Sequence, residues 1–132
     1  MPLRLLKLFL ACSAIGWGAC IVGVFAPWAQ INTIAQAMGA KPIAYDPMLD
    51  YWLRMICSAF TLVGLWYLAL ALWPRKFAAV IPYFGWIMIM EGFVLLISGL
   101  RLGIGPLPFY GDVAASLACG GGIVAFANAA RR

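Results

Sequence analysis

The chain has no histidine and only four acidic residues in 132. The first absence removes the commonest catalytic base at neutral pH and the commonest metal and haem ligand. Charge of either sign is scarce as well. Charged residues make up 10% of the chain and hydrophobic ones 66%, where soluble domains run near 25% and 45–50%. That balance excludes a soluble, disordered, secreted or DNA-binding protein. The four cysteines, Cys12, Cys20, Cys57 and Cys119, form no CxxC pair and no zinc spacing. They read as small apolar fillers of helix contacts, and neither a metal nor a cofactor is expected.

What the sequence has instead is long apolar runs. Four cover about 5–26, 47–73, 76–100 and 113–130, each long enough to cross a bilayer at about 1.5 Å of rise per residue. The expected fold is an all-α integral membrane protein, a single four-transmembrane-helix bundle over residues 1–132. Arg4 and Lys7 before an apolar core would also suit a signal peptide. Pro27, however, follows Phe25-Ala26 where cleavage would fall, so the run reads as a retained helix.

The bases give an orientation. Arg4 and Lys7 precede the first run, Arg75 and Lys76 join the second to the third, and Arg131 and Arg132 end the chain, all without an acid among them. Lys41 and Arg101 on the other side are set against Asp46, Asp50 and Asp112. The positive-inside rule then makes both termini cytoplasmic, and the net charge of +5 is topology, not a nucleic-acid patch. The expected location is a bacterial inner (plasma) membrane, with the bilayer itself as the first partner and no nucleic acid.

The connections are unequal. Trp73-Pro74-Arg75-Lys76 is a tight inner turn, with Pro74 stopping the second helix. Outside, Trp28, Ile31, Ala35 and Met38 share a helical face from which Gln30 and Thr33 are absent, which predicts a short amphipathic helix on the membrane surface. Asp46-Pro47 reads as an N-cap followed by proline at the first helical position. The stretch 103–111, rich in glycine and proline, reads as an apolar lid-like loop ending at Asp112 as the cap of the fourth helix.

Two ionisable residues fall inside the spans, and such residues are functional pointers by default. Arg54 lies about one turn inside the second helix; Glu91 lies about 12 Å from the outer end of the third. Asp50, Arg54, Cys57, Thr61 and Gly64 form one polar-and-small stripe at spacings of four and three. Ser13, Gly16, Cys20 and Gly23 do the same on the first helix, and Asp112, Ser116 and Cys119 or Gly120 on the fourth. Glu91 shares its face with Met88, Leu95 and Ser98. Such stripes face protein rather than lipid, because lipid leaves their polar groups unpaired. Arg54 has two readings: it snorkels outward and pairs with Asp50 one turn earlier, or it partners Glu91. An ionised Glu91 at that depth costs about 2.5–3.5 kcal/mol on the insertion scale, so it is paired, protonated or facing water.

Two functions from different classes fit these residues. In the first, an outward-facing intramembrane pocket binds, moves or transforms a lipophilic or amphiphilic small molecule. Its ligand-binding residues would be Glu91, Arg54, Asp50, Ser98 and Thr61, with Tyr51 and Tyr110 at the mouth. In the second, the protein is a non-catalytic subunit of a larger membrane complex or homo-oligomer, and Glu91–Arg54 fixes helix packing. An enzymatic role has no support, since no nucleophile–base pair is visible without histidine.

Overall fold

Proline sets where the long helices begin. Pro2 opens α1 (Pro2–Gly18), Pro47 opens α4 (Pro47–Leu72), Pro82 is the second residue of α5 (Ile81–Leu102), and Pro106 opens α6 (Pro106–Phe126). A first-turn N–H has no helical acceptor, so proline loses nothing there and its fixed φ suits the helix. Between α1 and α4 lie α2 (Ile21–Phe25) and α3 (Trp28–Ala37), and a 3₁₀ turn, Ala127–Ala130, follows α6. The computed structural model describes residues 1–131 and, of these, all side chains but those of 106–108. Arg132, one of the two terminal bases, lies outside the described residues. Four segments are long and apolar enough to cross a membrane: Pro2–Phe25, Pro47–Leu72, Ile81–Leu102 and Phe109–Ala130. The protein is all-helical among the described residues.

Three expected boundaries move. The third helix begins at Ile81, not near 76, because Pro82 bars a regular helix from running through it; residues 74–80 turn instead. The same helix runs past residue 100 to Leu102, where Gly103 at φ 59° takes the left-handed conformation and the Ile104 N–H donates to the Gly99 carbonyl at 3.1 Å. The fourth helix begins at Pro106, not at 113. The expected loop over 103–111 is confined to 103–105, and Asp112 stands inside a helix instead of capping it: both prolines of the stretch fall in the first turn, where they are tolerated. At Asp46 the expected cap is present. Its Oδ1 accepts from the backbone N–H groups of Met48 at 2.7 Å and Leu49 at 3.2 Å. The first span breaks at Ala19-Cys20, where the N–H groups of Cys20, Val22 and Gly23 reach carbonyls only three residues back.

Glycines let the helices touch backbone to backbone. A Cβ on Gly64 of α4 would stand 2.5 Å from the Gly18 nitrogen of α1. One on Gly120 of α6 would stand 2.9 Å from the Gly85 oxygen of α5. Close approach of this kind drives helix association where no hydrophobic effect is available. The helices follow one another around the bundle in the order α4, α1, α6, α5. The core lies at the end that carries Arg4, Lys7, Arg75 and Lys76 (the basic end), where Leu6, Leu10, Tyr67, Leu70, Ile81 and Ile123 are buried. There α4 is tied to α5: Tyr67 lies edge-on to Phe84, ring centroids 5.4 Å apart.

Candidate functional site

Above that core, toward the acidic end, lies a cavity of about 300 Å³. Three helices supply its walls at i, i+3 and i+4 spacings. From α1 come Cys12, Ser13, Gly16 and Trp17, with Cys20 from the break that follows; from α5, Met88, Glu91 and Leu95; from α6, Asp112, Ala115, Ser116 and Cys119. α4 contributes Phe60 alone. Phe60 stands edge-on to Trp17, centroids 4.9 Å apart at 69°, so the α1–α4 side of the cavity is an aromatic wall. The floor is Ser13, which is 1% exposed; its hydroxyl contacts the Phe9 carbonyl at 2.9 Å and the Met88 sulfur at 3.2 Å.

The cavity holds two carboxylates, Glu91 and Asp112, and no base. Among the described residues the only ion pair is elsewhere: Arg54 Nη2 lies 3.0 Å from Asp50 Oδ1. The guanidinium also donates to the carbonyl of Val24, in the last turn of α2, and to that of Ala26, its C-cap. Arg54 therefore fastens the end of the first span to α4, with its charge at a helix C-terminus, a favourable place for a cation. It is not beside Glu91.

Of the residues expected to bind a ligand, the cavity gathers Glu91 alone. Asp50 is engaged with Arg54. The Thr61 hydroxyl donates to the Cys57 carbonyl at 2.8 Å, one turn back in its own helix. Ser98 is exposed, because on α5 the cavity ends at Leu95. Tyr51 is 62% exposed against Trp52, and Tyr110 is exposed beside Phe109; neither lines the cavity. The residue that sequence reasoning placed elsewhere is Asp112. Its spacings of four to Ser116 and seven to Cys119 carried the signal, since all three share one face of α6. Read as a cap, it was put outside the helix it belongs to.

Small polar groups and thiols complete the lining. Among the described residues no group of three His, Cys, Asp or Glu side chains is placed to hold a metal ion. The arrangement is suited to hold a molecule with an apolar body and a polar head. No known protein family, curated protein or solved structure matches this chain.

Proposed function

We propose that the protein binds an amphiphilic small molecule in this cavity, and that the molecule carries a positive charge. The observation that supports it is the pair Glu91 and Asp112 on facing helices with no lysine or arginine in the lining. Glu91 is half-buried and Asp112 exposed, and two carboxylates lining one cavity with no base among them make a negative potential that favours a cation over an anion. A bound organic cation matches that potential. The Trp17–Phe60 wall accepts its apolar body and adds attraction through the ring faces. A volume of about 300 Å³ lies at the small end of ligand pockets. In this reading both termini face the cytoplasm of a bacterial cell and the cavity lies in the outer half of the inner membrane.

Native mass spectrometry of the purified chain tests the reading with an alkyltrimethylammonium ion and the uncharged alcohol of the same chain length. The cation is expected to be retained, the alcohol not, and Glu91→Gln and Asp112→Asn are each expected to lose the adduct while remaining folded. Equal retention of both probes, or full retention by both variants, overturns it. A protein partner found at fixed stoichiometry with no small adduct would favour the subunit reading. That reading draws support from the helix order, in which α4 and α5 are not packed neighbours, so a neighbouring chain's helix could lie beside both.

A further inference from the structure

The basic end carries a second cavity, of about 450 Å³, between the start of α1 and the turn that joins α4 to α5. Its lining brings together Lys7 with Arg75 and Lys76, bases 68 and 69 residues apart in the chain, around Leu3, Leu72 and Trp73. We infer that this cleft binds the phosphate of an anionic phospholipid headgroup.

Three features of the cleft carry the inference. The cations converge without a counter-charge: among the described residues the one ion pair is at the opposite end, and all four acids of the chain lie toward that end or inside the cavity above the core. Lys76 lies over the ring of Phe77, with Nζ 5.7 Å from the centroid, and among the described residues it is in no ion pair with a carboxylate. Scattered bases flanking a span do no more than snorkel. Here they rim a concavity, and basic pockets between helix ends are a recurrent way to hold acidic lipid headgroups.

The apolar part of the lining fits the rest of a lipid. Trp73 ends α4 and is 56% exposed, an indole at the depth where the acyl chains meet the headgroups. Leu3 and Leu72 extend the surface along which the first carbons of an acyl chain would lie. A soluble phosphate would use the three bases and leave this apolar surface bare, so the lipid is the better match.

The test uses the full chain in phosphatidylcholine nanodiscs containing dibrominated phosphatidylglycerol or dibrominated phosphatidylcholine. Bromine quenches tryptophan at short range, and subtracting the Trp73→Phe signal isolates Trp73 from the other five tryptophans. Each base near an anionic lipid contributes about a fivefold preference. The brominated phosphatidylglycerol is therefore expected to quench Trp73 at about one tenth or less of the mole fraction that phosphatidylcholine needs. The variant carrying Lys7→Gln, Arg75→Gln and Lys76→Gln is expected to lose that preference. Equal quenching by the two lipids in the wild type overturns the inference without recourse to any variant, and so does a triple variant that keeps the preference. Complete reversal by millimolar inorganic phosphate would assign the cleft to a soluble anion and overturn the lipid as its occupant.

Discussion

The hydroxyl of Tyr67 donates to the carbonyl of Phe84 at 3.0 Å. This bond joins α4 to α5 in the core at the basic end, below the cavity that holds Glu91. Tyr67→Phe keeps the edge-on ring contact and removes the hydrogen bond alone. Interhelical hydrogen bonds in membranes average about 0.6 kcal/mol and reach about 1.7. The expected loss is about 1 kcal/mol in a reversible unfolding titration in mixed micelles. An unchanged midpoint would mean that the ring contact alone holds the junction.

Gly64 and Gly121 should respond in opposite ways to the same substitution. A methyl group on Gly64 meets the Gly18 backbone, which cannot move aside as a flexible side chain can; one on Gly121 meets nothing within 4 Å. Gly64→Ala is expected to lose about 1–3 kcal/mol, the usual cost of overpacking. Gly121→Ala is expected to be neutral or to gain up to about 1 kcal/mol through helix propensity. Thermal melts of the two variants beside wild type settle the comparison.

Arg54 separates fastening from binding. Its contacts are Asp50 and the ends of α2, and it lines neither cavity. Arg54→Gln should therefore lower stability by about 1 kcal/mol, a charged hydrogen bond discounted for partial exposure. Retention of the alkyltrimethylammonium probe should not change. Loss of the probe in a well-folded Arg54→Gln protein would return Arg54 to the site.

Asp46 caps α4 through one oxygen that accepts two backbone N–H groups. Asp46→Ala is expected to cost about 1 kcal/mol, while Asp46→Asn keeps the acceptor and most of the stability. Because the helix starts at the acidic end, the loss should appear as faster amide exchange over residues 48–50 before any change in the core. Uniform exchange throughout the chain would argue against a local cap.

The four helices were legible because membrane solvation demands long apolar runs, and Asp46-Pro47 fixed the start of α4 to the residue. The start of α6 was not, since proline and glycine are read by composition as breakers while position decides their effect. Two prolines in a first turn do not break a helix. That single boundary moved Asp112 from a cap to a cavity wall. The small-residue stripes were visible, but which stripe meets which was not. Gly23 lies against Cys57 and Gly64 against Gly18, so the polar upper part of α4 faces the end of the first span. Arg54 is carried there with it, away from Glu91. Helix rotation about its axis is set by such close approaches, and a periodic pattern alone leaves it free.

In the proposed function the cavity around Glu91 lies at bilayer depth, and that changes what a concentration means. An amphiphile bound there would come from the hydrocarbon and not from water. The site then samples the amount dissolved per volume of lipid, which for an amphiphile greatly exceeds its aqueous level. Apparent affinity quoted per litre of buffer will drift with the amount of membrane in the tube, whereas affinity quoted as a mole fraction in the bilayer will hold constant.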